Sequence, residues 1–278
     1  MQLIIQPDAG VTPIVKAIKK AKKTIDIVIF RFDRTEVQKA LEAAVDRDVV
    51  VRALIAHTNR GGEKSLRKLE LSLLDCGVVV ARTADDLPRY HGKMMIVDGT
   101  MLHVYGFNLT WQDIDKSRSF GIITRNRACV QEAARLFEAD TLRQTYNPGH
   151  ARLVVSPENS RKVLTDFLKG AKKQLLIYDQ QVSDNLIQRT LIERAKAGVE
   201  IRILGKLEKT IPKVKVRKLA DLRLHVRAIV RDGSDAFVGS QSLRKLELDG
   251  RREVGVIVND GSVVKKIRSV FEDDWKMS

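Results

Sequence analysis

Hydrophobic and polar positions follow two periods along this chain. The runs IDIVIF at residues 25–30 and VVVRALI at 49–55 are short, rich in β-branched residues and nearly continuous, the pattern of strands buried on both faces. Around them, apolar residues recur every three or four positions, which predicts helices over about 12–23 and 35–46. Thr12 is the expected N-cap of the first helix, with Pro13 at the first helical position. The second half reads the same way. A helix runs from an expected cap at Ser160 to Lys173, followed by the strand LLIYD at 175–179, a helix at about 185–197 and the strand VEIRILG at 199–205. Each half closes in a helix. Alternation of strand and helix predicts an α/β fold, each half a mixed β-sheet flanked by helices.

The likeness of the halves extends to individual residues. IIQP at 4–7 matches VVSP at 154–157, Ala-Lys-Lys at 21–23 matches 171–173, and Val51-Arg52 matches Ile201-Arg202, all at an offset of 150. His91 matches His225, Asp98 matches Asp232, and Phe137-Glu138 matches Phe271-Glu272 at an offset of 134. Ordered matches on two constant offsets indicate an internal duplication, with the second copy 16 residues shorter before its histidine. The turn-forming Tyr146-Asn147-Pro148-Gly149 places the boundary so that residues 1–147 form the first repeat and 148–278 the second.

Charge narrows the partners. A net charge of +15 and a pI near 9.9 favour anionic ligands: nucleic acid, acidic lipid or phosphorylated small molecules. The second repeat carries most of it, with 27 Lys+Arg against 17 Asp+Glu, where the first has 23 against 18. Aromatics make up only 5%, too few for a rich base-stacking surface. No apolar run reaches the length of a membrane span and no secretory leader is visible, so a cytoplasmic protein is expected, with peripheral contact to an anionic membrane surface as its closest approach to lipid. Cys76 and Cys129 lack metal or redox spacing and read as reduced core thiols.

The chemistry concentrates where the repeats match. The first contains Tyr90-His91-Gly92-Lys93-Met94-Met95-Ile96-Val97-Asp98, the second Leu224-His225-Val226-Arg227-Ala228-Ile229-Val230-Arg231-Asp232. Residues two apart on a strand share a face, so each histidine projects beside a cation. A buried pair of that kind calls for an anion. Ten residues after each aspartate stand Asn108 and Ser242, and twenty-one after stand Ser119 and Glu253.

A doubled H-x-K-x4-D, each copy followed by a G-S-x-N-like segment, resembles the phospholipase D superfamily over essentially the whole chain. Residues 1–110 are most similar to its cardiolipin-synthase-like bacterial branch. The resemblance implies two tandem repeats packed about a pseudo-twofold axis, and catalysis on a phosphodiester without metal or other cofactor. One histidine attacks phosphorus to form a phosphohistidine; the other protonates the leaving alkoxide and then activates water or an acceptor alcohol. By the same resemblance Lys93 and Arg227 hold the non-bridging oxygens, with Asn108, Ser240 and Ser242 adding hydrogen bonds. Asp98 and Asp232 are structural. Family precedent favours His91 as the nucleophile, whereas a carboxylate behind His225 would favour that imidazole, so the choice stays open. Three departures stand out: Arg227 for lysine, Tyr105-Gly106 for Gly-Ser, and Ser119 for an orienting carboxylate. That leaves Glu253 as the remaining carboxylate, expected behind His225. Both half-sites lie in one chain, so a monomer is expected.

Other residues carry weaker signals. Lys206, Lys209, Lys213, Lys215, Arg217, Lys218 and Arg223 lead into the second motif. Lys213, Lys215 and Arg217 alternate and are expected on one strand face, either as a substrate-steering patch or as a solvated basic edge. His57, in the loop His-Thr-Asn-Arg-Gly-Gly, is a pocket-mouth candidate against a structural role. His103 and His150 read as structural, and Trp111 as packing. Substrate class stays open: phospholipid hydrolysis or phosphatidyl transfer leads, a metal-independent nuclease or other phosphodiesterase uses the same chemistry, and a non-catalytic phosphodiester or nucleic-acid binder is the third reading.

Overall fold

The computed structural model describes residues 1–58 and 63–278. The first half runs β1 (Gln2–Gln6), α1 (Thr12–Lys20), β2 (Thr24–Ile29), α2 (Thr35–Val45), β3 (Val50–Ile55), α3 (Glu63–Asp75), β4 (Val79–Arg82), β5 (Arg89–Tyr90), β6 (Met94–Val97), β7 (Met101–Tyr105), α4 (Trp111–Asp115), β8 (Ser117–Thr124) and α5 (Arg127–Leu142). The second runs β9 (Leu153–Ser156), α6 (Ser160–Lys169), β10 (Gln174–Val182), α7 (Asn185–Lys196), β11 (Glu200–Leu207), β12 (Val214–Arg217), β13 (Arg223–Leu224), β14 (Ala228–Arg231), β15 (Asp235–Gly239), α8 (Lys245–Asp249), β16 (Arg251–Val258) and α9 (Gly261–Lys276). The 16-residue difference has a structural cause: both halves add a parallel strand at the sheet edge, β4 on β3 and β12 on β11, but helix α3 precedes only the first.

The strands form two mixed sheets, β1-β8-β7-β6-β2-β3-β4 and β12-β11-β10-β14-β15-β16, with β9 also on β16. Period two sorts the side chains. On β6, Met94 and Ile96 face the other sheet, while Met95 and Val97 face the outer helices; on β14, Ala228 and Val230 point inward and Ile229 outward. The inner faces, with α5 and α9, build a core common to both halves, including Phe120, Phe137, Tyr178 and Phe271. Helices α1 and α2 cover the outer face of the first sheet, α6 and α7 that of the second. Burying each such side chain contributes about 1.5–3 kcal/mol, so this shared core makes the halves interdependent.

The repeat markers turn out to be partners. Arg52 Nη2 reaches Glu138 at 2.6 Å, and Arg202 Nη1 reaches Glu272 at 2.7 Å. A second twin pair crosses between halves: Arg118 of β8 binds Asp274 of α9 at 2.9 and 3.0 Å, and Arg252 of β16 binds Asp140 of α5 at 3.0 Å. Two cap expectations need correction. Thr12 and Ser160 fall inside their helices and neither caps through its side chain. The Ser160 hydroxyl donates instead to the carbonyl of Leu248, because α8 packs against the start of α6.

Candidate active site

Two strands of two residues each exchange sheets. β5 pairs in parallel with β16 of the second half, at Arg251 and Arg252; β13 pairs in parallel with β8 of the first half, at Ser117 and Arg118. The ladders continue for one more bond. The His91 amide donates to Arg252 O (2.7 Å), and the His225 amide donates to Arg118 O (3.2 Å). Each histidine therefore stands beside the next residue of the opposite half's strand, which is Glu253 for His91 and Ser119 for His225.

This corrects the expectation that Glu253 serves His225. Its carboxylate oxygens lie 2.8 and 3.0 Å from His91 Nδ1. The reason is the strand exchange, which matches each histidine to the other repeat's carboxylate position. Ser119 Oγ and His225 Nδ1 are both buried, and neither has a hydrogen-bond partner among the described residues. His225 meets a different acid: its Nε2 is 3.6 Å from Asp113 Oδ2 on α4. Asp113 is held by the amide and side-chain nitrogen of Asn108 (2.9 and 2.6 Å) and by Arg223 (2.6 Å).

Burial dominates the electrostatics. It pulls His91 down to about 4 against the pull of Glu253, and it holds His225 well below the usual imidazole range with help from Arg227. Lys93, also desolvated, falls to about 7; its Nζ donates to His91 O and lies 5.6 Å from the Phe30 ring centroid. Arg227 is lowered by burial as well, and donates to His225 O (2.9 Å) and Gln180 Oε1 (2.8 Å). Burial opposes the charge on Glu253, but His91, Lys93 and Ser240 together outweigh it and bring the carboxyl to about 2. At neutral pH the site thus holds two uncharged imidazoles, a carboxylate, the Arg227 cation and a lysine, Lys93, that is about half protonated.

Both histidines line two adjoining cavities. One, of about 310 Å³, is bounded by Phe30, Arg31, Asn108, Asp113 and Arg223; the other, of about 530 Å³, by Gln180, Arg227, Arg244 and Arg251. Of the expected anion ligands, Asn108 reaches the first cavity. Ser240 exchanges hydrogen bonds with the backbone of Val254 (3.1 and 3.3 Å), and Ser242 donates to Asp179, so both hydroxyls have protein partners. Asp98 accepts from the amides of Lys22, Lys23 and Thr24, and Asp232 from those of Lys172, Lys173 and Gln174. These carboxylates tie the Ala-Lys-Lys segments to the ends of β6 and β14.

The basic alternation is corrected. Lys213 precedes β12 at φ +68°, outside the strand's period, and Arg217 donates to the carbonyl of Trp275 (2.6 Å) with its guanidinium over that ring. Lys213, Lys215 and Arg217 line neither cavity, because β12 is the far edge of the second sheet. Trp111 is also corrected: its ring is 55% exposed, with Lys116 above it. His57 Nε2 faces Asp85 at 3.6 Å and lines neither cavity; Asn59 to Gly62 of its loop lie outside the described residues. Cys76 and Cys129 are free and buried. Sequence reasoning missed Asp113, although it stands opposite Glu247 at the offset of 134 and both are buried acids. It also missed Gln180 and Asp179, whose roles depend on side-chain packing alone.

Comparisons with known proteins agree with this architecture. The family described as "Cardiolipin synthase, PLD-like domain" matches residues 14–141 and 164–275. The minor cardiolipin synthase ClsB of Bacillus subtilis (strain 168) is 21% identical over 226 residues, 68% of this chain and 57% of that protein. The crystal structure of polyphosphate kinase from Porphyromonas gingivalis superposes with a TM-score of 0.80 at 18% identity, over 99% of this chain and 50% of that one. Phosphatidylserine synthase from Haemophilus influenzae Rd KW20 gives 0.72 at 10% identity, over 99% and 86%. The chain thus spans little more than half the length of the curated relative. Among the described residues no helix is long and apolar enough to cross a membrane. On the match over both halves, the chain belongs to the cardiolipin synthase, phospholipase D-like domain family.

Proposed function

We propose that the chain is a phosphodiester-cleaving enzyme, a hydrolase or phosphatidyltransferase, whose residues 1–147 and 148–278 each supply half of one asymmetric site. One observation carries the reading: His91, oriented through Nδ1 by Glu253, shares a cavity with His225. With Nδ1–H donated to the carboxylate, the Nε2 lone pair of His91 is left for attack. Family precedent and the carboxylate now favour the same nucleophile. His91 Nε2 forms the bond to phosphorus as the bond to the leaving oxygen breaks, and protonated His225 transfers its proton to that oxygen. An anionic phosphodiester beside His225, together with Asp113, raises the imidazole's proton affinity when substrate is bound. Neutral His225 then takes a proton from water or an acceptor alcohol, whose oxygen displaces His91. Lys93 and Arg227 stabilise the charge growing on the phosphoryl oxygens.

Phospholipid at an anionic membrane surface is the substrate class favoured by the family and by the relative's printed name. Phosphatidylglycerol vesicles and single-stranded DNA, each incubated with chelator beside His91→Ala, decide between lipid and nucleic acid. Lipid turnover abolished by His91→Ala is expected. Turnover of DNA alone would transfer the same chemistry to a nuclease. Turnover of neither would leave a phosphodiester binder, and loss of activity with chelator would contradict the mechanism.

A further inference from the structure

A second cavity, of about 310 Å³, lies under α1 on the outer face of the first sheet. Its floor is Ala17, Val97, His103 and Ile123, all buried, and its rim carries Lys16, Lys20 and Arg125 together with Asp98, whose carboxylate is taken up by the amides of Lys22, Lys23 and Thr24. It sits at the Val97 end of β6, whereas Lys93 and the catalytic centre sit at the other end, roughly 13 Å away at about 3.3 Å per residue. None of the three rim cations makes an ion pair among the described residues.

His103 gives the floor its polarity. The ring is fully buried, Nδ1 lies 3.0 Å from the Tyr105 hydroxyl, and Nε2 has no partner among the described residues. Among the described residues that buried hydroxyl has no other partner, so donation to Nδ1 is the arrangement that satisfies its hydrogen, and it puts the imidazole hydrogen on Nε2. A buried N–H donor without an acceptor is costly, about 1–3 kcal/mol, unless something accepts from it. Burial and the nearby Arg125 hold His103 down to about 4, so the ring supplies a neutral donor at ordinary pH.

The duplication supplies an internal control. At the repeat offsets, Ala17, Val97, Met101 and His103 correspond to Phe167, Arg231, Asp235 and Phe237. In the second half Phe167, Arg231 and Phe237, each larger than its counterpart, fill the equivalent space, with Asp235 pairing Arg231. The Arg231 guanidinium stacks 4.4 Å from the Phe167 ring centroid, donates to Phe167 O (3.3 Å) and pairs with Asp235 (3.0 Å). Phe237 lies across Gly239 and Gly255, where an added Cβ would approach it to 2.7 and 2.4 Å. The first half has Tyr105 in place of Gly239, and its ring supports His103 instead. The rim cations Lys16, Lys20 and Arg125 correspond to Asp166, Gly170 and Asn259. The positions that open the space in the first half thus lie beside three rim positions that are basic there and not in the second half, while Arg231 gives the second half a cation where the first has Val97.

We infer that this cavity is a binding site for a phosphate-bearing anion, separate from the catalytic centre and present only in the first half. Lys16, Lys20 and Arg125 hold the anion at the rim, and His103 Nε2 donates to an oxygen that reaches the floor. The group it takes is a phosphomonoester, either free or as a lipid headgroup.

The full chain carrying ¹⁵N-labelled histidine, titrated with inorganic phosphate, tests this through the His103 Nε2–H signal, which reports locally whatever happens at His91 and His225. A second arm measures co-sedimentation with phosphatidylcholine vesicles containing phosphatidic acid. The comparison variant, Lys16→Asp with Arg125→Asn, puts second-half residues at two exposed rim positions and leaves the core untouched. A saturable shift of the His103 signal, weakened about tenfold or more in the variant, is expected for free phosphate. If phosphate is silent but vesicle binding is lost in the variant, the anion is the lipid headgroup. The inference fails if His103 is unmoved and both proteins bind vesicles alike, or if the shift survives unchanged in the variant.

Discussion

Glu253 holds Nδ1 of His91 at 2.8 Å across the boundary between the two halves, while His225, its counterpart, has no carboxylate on Nδ1. The pair is buried, and its geometry fixes the tautomer that leaves Nε2 free for attack. Replacing Glu253 by glutamine keeps the volume and removes the charge. If the mechanism proposed above operates, kcat falls by roughly 10²- to 10⁴-fold while the circular dichroism spectrum is retained. A kcat within about threefold of the parent would argue against His91 as the oriented nucleophile.

Ser119 marks the missing half of that symmetry. Ser119→Asp places a carboxylate beside the unpartnered Nδ1 of His225. The expected outcome is an upward shift of the His225 pKa by about 1–3 units, read from imidazole NMR signals across pH. No shift would mean that Ser119 does not face Nδ1 as the twin ladders indicate.

Lys93 sets an alkaline limit. Desolvation lowers it to about 7, so in free protein its charge is lost as pH rises through that value. If His91 is the nucleophile as proposed, the acid limb is its own, because it becomes protonated as pH falls through about 4. The ratio kcat/KM is expected to decline first as His225, the proposed acid, loses its proton below the usual imidazole range, and then along an alkaline limb near 7 as Lys93 discharges. Lys93→Arg, which copies Arg227, should move the alkaline limb upward. An alkaline limb that stays near 7 in this variant would assign it to another group.

The same histidines shape stability. His91 and His103 each titrate near 4 when folded and near 6.5 when unfolded, so the unfolded chain binds protons first as pH falls. Their contribution is complete above about 6.5 and is lost progressively down to about 4. Urea midpoints should drop across that window, and His103→Phe should flatten part of the slope. A slope as steep as the parent's in that variant would remove His103 from the account.

Arg118 and Asp274 join β8 to α9 inside the protein, with Tyr178 donating to the same carboxylate at 2.6 Å. Asp274→Ala leaves a buried guanidinium unpaired and should cost about 3–5 kcal/mol in chemical denaturation. Asp98→Asn weakens the grip on three amides and should cost about 1–3 kcal/mol with little change in kcat per folded molecule. A large loss of kcat at unchanged stability would instead make Asp98 a participant in the chemistry.

Much was legible without coordinates. The β-period runs placed the central strands, because strands buried on both faces have little choice but Val, Ile and Leu. Constant offsets revealed the duplication, and His91, Lys93, His225 and Arg227 stood out because buried cations beside imidazoles have few structural uses. The mirror acids Asp113 and Glu247 were within reach of the same alignment. The alternation of Lys213, Lys215 and Arg217 misled, since period two holds only while the backbone stays extended, and Lys213 lies at positive φ.

Duplication preserves spacing, so equivalent residues can be read directly from the chain. Which of them meet was decided only in three dimensions. β5 and β13 are two residues long, too short to carry a pattern that names a partner, and each joins the sheet of the opposite half. That exchange turns two like motifs into one unequal site, with the carboxylate of Glu253 behind His91 and the hydroxyl of Ser119 in the same place behind His225. The open cavity under α1 has the same origin: the sequence lists Ala17 opposite Phe167 and His103 opposite Phe237, but only packing shows that the small residues leave a space and the large ones fill it.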